Sequence, residues 1–137
     1  MSTKIKPMEY FHATVKDRPG EAFEVLNRLQ SVGVNLLAFN AVPVGPEQTQ
    51  LVIFPESVES LAHAAEKSGL ILTGPQRAFL IHGDDRLGAL VDLHSKLNDS
   101  RINVYASSGV TDGKGGYGYV LYVRSEHYED AAAALGV

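Results

Sequence analysis

The spacing of apolar side chains along the chain changes between a strand-like and a helix-like period. Residues 10–15 are rich in aromatic and β-branched side chains, which favour a strand, and they stop at the turn-forming residues 17–20. Across residues 19–31 apolar side chains recur at intervals of three and four, which predicts an amphipathic helix that begins at Pro19 and is closed by Gly33. The first third of the chain is therefore predicted to contain a strand, a turn and a helix.

Two apolar runs, at residues 34–44 and 49–55, flank a turn-forming segment and predict a β-hairpin. Ser57 is suited to cap a second helix, whose apolar side chains again share one face and which ends at Gly69. A short strand is expected over residues 70–73. The predicted order is strand, helix, strand, strand, helix, strand.

A four-residue motif occurs twice and indicates an internal repeat. Asp17-Arg18-Pro19-Gly20 returns as Asp85-Arg86-Leu87-Gly88, 68 residues further along the chain. The same offset superposes Phe11 on Phe79, Leu29 on Leu97, Asn35 on Asn103, Val42 on Val110 and Val52 on Val120. We therefore predict two copies of one unit, residues 8–75 and 76–137, joined at Gly74-Pro75. A unit of about 60 residues is marginal alone, so each copy is expected to need the other.

The second copy is predicted to repeat the elements of the first, except for the last strand. Its periodicity indicates a strand over residues 77–83, a helix over 87–97, a hairpin over 102–124 and a helix over 126–135. The sequence stops at Gly136-Val137, before a final strand. We expect the corresponding sheet edge to be left open, short, or covered by another segment or subunit.

The element order, the Asp17-Arg18-Pro19-Gly20 motif after the first strand, and Gly33-Val34-Asn35-Leu36 at the second strand together resemble the ACT domain. The resemblance implies an α+β fold, with two tandem ferredoxin-like βαββαβ repeats whose antiparallel sheets are covered by helices on one face. In that family such modules sense amino acids, either attached to metabolic enzymes or standing alone, and pair edge to edge so that effectors bind between neighbours. The second copy departs from the family pattern with Leu87 in place of the usual proline.

A free amino acid presents a carboxylate and an ammonium group, and the two turns offer partners for both. The predicted helix start after Pro19 exposes N–H donors, Gly20 allows close approach to the backbone, and Asp17 could accept from the ammonium group. Alternatively, the aspartates cap their turns and the asparagines occupy helix-to-strand bends. Leu36 and Leu37 could line a site for an apolar amino acid, or could equally belong to the core. The predicted ligand-binding residues are Asp17, Arg18, Pro19, Gly20, Asn35, Asp85, Arg86, Gly88 and Asn103.

Two predicted strands are apolar on both of their faces, at residues 51–54 and 119–123. Helices can cover only one face of a sheet, so the second face is expected to pack against a second subunit or the partner repeat. We predict a homodimer or a higher oligomer on this ground.

Composition narrows the functional classes. The chain has 137 residues, 45% of them hydrophobic, and a net charge of −4 without a basic stripe, which argues against nucleic acid as a partner. The absence of cysteine excludes disulfides, thiolate metal sites and cysteine nucleophiles, and a reducing cytoplasm is the expected location. No apolar run is long enough for a membrane helix, and no signal-peptide core follows the N-terminus.

The sequence contains no motif whose context supports catalysis or cofactor binding. Residues 113–118 satisfy the spacing G-x-G-x-x-G, but they lead into a predicted strand rather than a helix and are interpreted as a hairpin tip. The five histidines show no metal-ligand spacing, and His94, on an apolar helix face, is interpreted as a hydrogen-bonded core or interface residue. We therefore predict no metal, no cofactor and no enzymatic activity.

The sequence favours a small regulatory protein that senses an amino acid or a similar small effector and passes the binding event to a metabolic enzyme or regulator. One alternative is an interaction module that binds no ligand. Another, less favoured, is a small ferredoxin-like enzyme, since this fold also carries catalysts.

Overall fold

The computed structural model describes residues 3–137 and divides the chain into two compact units. The first unit is Glu9–Gln76, and the second unit is Arg77–Val137 together with the N-terminal residues through Met8. Along the chain the elements are β1 (Lys4–Lys16), α1 (Glu21–Ser31), β2 (Leu36–Pro43), β3 (Gln48–Pro55), α2 (Val58–Ser68), β4 (Thr73–Asp84), α3 (Ala89–Asp99), β5 (Ala106–Thr111), β6 (Gly116–Tyr122) and α4 (Tyr128–Leu135). A 3₁₀ turn, Ser125–His127, precedes α4. The predicted α+β fold with ferredoxin-like repeats is confirmed.

The sheet of the first unit has the strand order β2, β3, β1, followed by the first residues of β4. β3 pairs antiparallel with both β1 and β2, and Ile53 stands opposite Phe11 on one side and Phe39 on the other. The Tyr10 hydroxyl donates to the Gln76 side-chain oxygen at 2.9 Å. This bond fastens the start of β4 to β1 within the unit.

The core of the first unit lies between one face of this sheet and the two helices. Alternate residues of β1 and β3 share the cluster with one side of each helix, as the period of two in strands requires. The buried cluster contains Phe11, Ala13, Val25, Leu29, Val34, Leu51, Ile53, Leu61 and Ala64. On the opposite face, Tyr10 and Phe54 are buried as well, with ring centroids 5.0 Å apart. Both faces of these strands are thus buried in a single chain.

The second unit has the strand order β4, β6, β5, with the N-terminal part of β1 next to β4. Residues 4–8 of β1 therefore occupy the position of a fourth strand, and Ile5 packs against the edge of the core. In that core the rings of Phe79 and Tyr128 stack with centroids 4.6 Å apart. The segment that completes this sheet comes from the opposite end of the sequence.

Several predicted element boundaries are wrong. The strand expected over residues 70–73 does not form; Thr73 instead begins β4, which runs through Gly74-Pro75 without a break. Pro75 precedes the antiparallel register of β4 with β6, which begins at Phe79, so its missing N–H removes no bond from that pairing. β1 also begins six residues earlier than predicted, at Lys4 rather than Tyr10.

The helices α1 and α3 begin later than the sequence pattern indicates. Pro19 and Leu87 were the expected first helical residues, but each helix starts after a glycine with positive φ, 90° at Gly20 and 72° at Gly88. A left-handed residue cannot belong to a right-handed helix, so the turn extends to the glycine. α4 likewise starts at Tyr128 rather than Glu126, because a 3₁₀ turn intervenes.

Candidate functional site

The first predicted site is an exposed turn between β1 and α1. Asp17, Arg18, Pro19 and Gly20 are all exposed, and the Asp17 N–H donates to the carbonyl of Glu47 at 2.9 Å. The Arg18 guanidinium lies 3.4 Å from the Glu21 carboxylate. Gly20 forms the N-cap of α1 without a side-chain hydrogen bond. No side chain therefore caps the start of α1; its Glu21 N–H donates to the Arg18 carbonyl at 3.3 Å and its Glu24 N–H to the Gly20 carbonyl at 2.9 Å.

The second predicted site repeats this geometry at the start of α3. The Asp85 N–H donates to the carbonyl of Gly115 at 2.9 Å, and Gly88 is an N-cap without a side-chain hydrogen bond. Arg86 pairs with the Asp92 carboxylate at 2.7 Å. Leu87, which replaces the proline of the first copy, is fully exposed. In the part of the chain that the structure describes, neither aspartate acts as the helix cap at its turn.

The two asparagines lie at the entries to the second strand of each unit, Asn35 before β2 and Asn103 before β5. The backbone carbonyl of Asn35 accepts from the Glu56 N–H at 2.8 Å, and the side-chain nitrogen Nδ2 of Asn35 lies 3.5 Å from the Glu56 carboxylate. Asn103 lines a polar cleft of about 550 Å³ with Asn98 and Arg101. It does not line the cleft that contains Asp85.

Three predicted residues of the second unit, Asp85, Arg86 and Gly88, line one cleft of about 440 Å³ between the start of α3 and strands β5 and β6. The other side chains of its lining are mostly apolar or aromatic. They include Ala89, Leu90, Val91, Val110, Thr111, Tyr117 and Tyr119. We call this the α3–β5 cleft. Sequence analysis did not assign these residues to the site, although Tyr117 and Tyr119 stand two apart and hence on one face of a strand.

Each of the two tyrosine rings of the α3–β5 cleft packs against a glycine. A methyl group at Gly109 would stand 2.7 Å from the Tyr119 ring, and one at Gly83 would stand 2.8 Å from the Tyr117 ring. The Tyr119 hydroxyl is 2.8 Å from the His94 ring nitrogen Nε2. The interpretation of His94 as a hydrogen-bonded residue is thereby confirmed.

The glycine-rich run at residues 113–118 forms the tip of the β5–β6 hairpin and enters β6, as predicted. The Asp112 carboxylate oxygen Oδ1 accepts from the N–H groups of Lys114 at 2.6 Å and Gly116 at 3.1 Å. These two bonds, led by that from Lys114, lower the pKa of Asp112 below its ordinary value. Asp112 therefore holds the turn in its ionised form.

The pKa of His12, on β1, is lowered by burial. The His12 ring meets the Tyr10 ring edge-on, with 5.4 Å between the ring centroids. Burial disfavours the imidazolium form, so this histidine is held towards its neutral state. Within residues 3–137, no group of three histidine or acidic side chains is arranged to hold a metal ion. Nor does any helix in that range have the length and apolarity needed to cross a membrane.

Solved structures of low sequence identity share this fold. Protein BT0572 from Bacteroides thetaiotaomicron superposes with a TM-score of 0.82, covering 96% of this chain and 88% of that one at 12% identity. The regulatory subunit of aspartate kinase from Thermus thermophilus, in its ligand-free form, gives a TM-score of 0.61 with 98% and 94% coverage at 15% identity. That from Thermus flavus gives 0.62 with 99% and 95% coverage at 13% identity.

No protein-family model and no curated protein matches the sequence. The relationship therefore lies in the three-dimensional fold, which this chain shares over nearly its whole length with regulatory subunits of aspartate kinase. The α+β fold with ferredoxin-like repeats that the resemblance implied is confirmed in this sense.

Proposed function

We propose that this chain is a regulatory protein that binds a free amino acid, or a small effector of the same chemistry, and that it catalyses no reaction. The α3–β5 cleft carries the proposal, because three of the predicted ligand-binding residues line it together. The structures that share its fold over nearly the whole chain include proteins named as regulatory subunits. Its proposed location is the cytoplasm.

Recognition in the cleft follows from the charges of a zwitterion. The carboxylate of the effector binds at the start of α3, where the positive end of the helix dipole favours an anion and Arg86 lines the same cleft. The ammonium group binds the Asp85 carboxylate, which is exposed at the rim of the cleft. Asp17 and Gly20 provide the corresponding groups at the start of α1 in the first unit.

The effector acts by shifting the population of two arrangements of the protein. A ligand that fits one arrangement better stabilises it by the difference in affinity, and no covalent step is needed. We propose that the chain functions as a homodimer and that a metabolic enzyme or regulator responds to the shift. Phe23 and Val42 in the first unit, and Val91 and Val110 in the second, are exposed apolar residues on or beside the edge strands and are available for such contacts.

A ligand-free interaction module is the second candidate. The exposed apolar residues just named favour it, since apolar surface at a sheet edge is suited to protein contacts whether or not an effector binds. The departures of the second motif, above all the fully exposed Leu87, are also compatible with a turn that no longer contacts a ligand.

A thermal-shift screen against the twenty amino acids, followed by isothermal titration calorimetry, separates the two candidates. A ligand at 100 times its Kd adds about 2.7 kcal/mol to the free energy of unfolding, which raises the melting temperature by several degrees. Asp85→Ala is expected to abolish the shift if the second unit holds the effector, and Asp17→Ala if the first unit does. Circular dichroism checks that both variants fold. A flat screen with folded protein would establish the interaction module instead.

A further inference from the structure

The two units differ in the side chains next to the cleft, although their backbones repeat. The 68-residue offset places Leu26, Ala41 and Leu51 of the first unit at the positions of His94, Gly109 and Tyr119 in the second. Leu51 is fully buried in the core of the first unit. In the second unit the corresponding residue, Tyr119, is also buried, with 5% of its surface exposed, but it lines the α3–β5 cleft and its hydroxyl lies 2.8 Å from the His94 ring nitrogen Nε2.

These three differences belong together. The Tyr119 ring fits only because position 109 has no Cβ; a methyl group there would stand 2.7 Å from the ring carbon Cδ1. The hydroxyl group has a partner only because His94 replaces a leucine. The bond to His94 restricts the rotation of the ring, so the second unit has a fixed, nearly buried aromatic ring in the wall of the cleft where the first has aliphatic side chains.

The rim of the cleft is aliphatic. Leu90 and Val91 project from α3 and Val110 from β5, and all three line the cleft while remaining partly exposed. Val91 is 63% and Val110 75% exposed, so their apolar surface is available to a ligand. The charged groups, Asp85 and Arg86, line the same cleft beside the N-cap Gly88.

We propose that the α3–β5 cleft of the second unit selects α-amino acids with an apolar side chain. The zwitterionic end meets Asp85 and the start of α3, and the side chain lies between the tyrosines and the aliphatic rim. Charge complementarity selects the zwitterionic end of the ligand, and apolar contact area selects its side chain. This inference rests on the proposed function and adds to it both the ligand class and the unit that binds.

Calorimetry on the full chain tests the ligand class with L-leucine and L-phenylalanine against L-serine and L-lysine. Removing the apolar contacts, or placing an ammonium group among them, is expected to weaken binding on the order of tenfold or more. Equal affinity for L-serine and L-leucine would overturn the ligand class while leaving the proposed function intact. Failure of every amino acid to bind would overturn both.

A matched pair of variants tests which unit binds. Val110 and Val42 occupy equivalent positions on the edge strands β5 and β2, and both are exposed, so an aspartate at either position is compatible with folding. Val110→Asp is expected to weaken L-leucine binding about tenfold or more, because it puts a charge against the apolar side chain. Val42→Asp is expected to weaken it much less, and sedimentation equilibrium of both variants checks that a change of oligomeric state does not cause the loss. The reverse result, or equal losses, would show that the second unit is not the selective one.

The double variant His94→Leu, Tyr119→Leu tests the aromatic surface by giving the second unit the two leucines of the first. L-phenylalanine is expected to lose more affinity than L-leucine, because an aromatic side chain gains most from a neighbouring ring. The ratio of the two affinities is the readout, since a general loss of stability would weaken both ligands alike. An unchanged ratio would show that Tyr119 does not contact the side chain of the ligand.

Discussion

The left-handed residue after the first helix of each unit is a glycine in one copy and an arginine in the other. Gly33 has φ 79° and Arg101, at the equivalent position, has φ 57°. Arginine is strained in this conformation because its Cβ approaches the following carbonyl oxygen, whereas glycine is not.

Arg101→Gly is therefore expected to stabilise the protein. The gain in the free energy of unfolding should be up to about 1 kcal/mol, since relief of strain is partly offset by the greater freedom of glycine in the unfolded chain. Urea denaturation measures it. Gly33→Ala is the reciprocal control and should destabilise, because it introduces at Gly33 the strain now present at Arg101. A loss of stability in Arg101→Gly would contradict the argument.

Asp112 makes stability depend on pH in the acid range. Its pKa is lowered by the bonds from the Lys114 and Gly116 N–H groups, so the unfolded chain binds its proton more readily than the folded chain does. The stabilisation is complete above the ordinary pKa of an aspartate and is lost as the pH falls through the lower, folded value.

Asp112→Ala is expected to destabilise at neutral pH and to converge with the native protein in acid. Chemical denaturation at a series of pH values measures the difference. Asp112→Asn is the control, because its amide oxygen can accept the same bonds without ionising, and its stability relative to Asp112→Ala should vary little with pH. A difference between the native protein and Asp112→Ala that does not depend on pH would rule out this role of the carboxylate.

Among the elements, α2 is the helix whose beginning the sequence predicted correctly. The Ser57 hydroxyl oxygen accepts from the Ser60 N–H at 3.2 Å, and the helix ends before Gly69 as expected. Helices α1 and α3 have glycine caps without a side-chain bond, and their predicted starts at Pro19 and Leu87 are wrong. A side-chain cap is a local signal, whereas the extent of a glycine turn depends on its dihedral angles.

Ser57→Ala is expected to lower the free energy of unfolding by about 1 kcal/mol through the loss of this cap. Ser57→Asp keeps an acceptor oxygen and should retain most of the stability. Guanidinium denaturation of both variants gives the comparison. Equal stability of the alanine and aspartate variants would mean that the 3.2 Å bond does not stabilise α2.

At the scale of the whole molecule, β1 and β4 each take part in both units. Residues 4–8 of β1 belong with the second unit, where Ile5 packs against the core, and residues 73–76 of β4 belong with the first. Because residues 4–8 lie far in the sequence from the rest of the second unit, the stability of that unit is expected to depend on this N-terminal segment.

Ile5→Asp tests this dependence. Placing a carboxylate against the core of the second unit is expected to cost on the order of 1–3 kcal/mol. Lys6→Asp is the matched control, because Lys6 is exposed on the adjacent position of the same strand and should tolerate the change. Thermal denaturation measures both. If Ile5→Asp has the same melting temperature as the native protein, the N-terminal residues do not contribute to the stability of the second unit.

The apolar character of both faces of the central strands was the basis for predicting an oligomer. Tyr10 and Phe54 in the first unit, and Leu80, Val120 and Tyr122 in the second, are buried in the single chain. These residues therefore do not require a second copy to cover them. The proposed homodimer rests instead on the exposed apolar residues at and beside the edge strands, and sedimentation equilibrium tests it.

The sequence by itself determined the repeat, the α+β class and the order of most elements. Local periodicity and turn chemistry depend on a few neighbouring residues, and each of these patterns occurs twice because the sequence repeats after 68 residues. It also located the turns around Asp17 and Asp85 and the hairpin tip at residues 113–118.

Only the tertiary structure decided which segments complete each sheet and which side chains form the cleft. The pairing of β1 with β4 joins residues far apart in sequence, and periodicity does not specify the partner of an edge strand. The cleft depends on contacts between Gly109, Tyr119 and His94 from three different elements, whereas Asn103 lies elsewhere. Such contacts depend on packing geometry, which hydrophobic spacing does not encode.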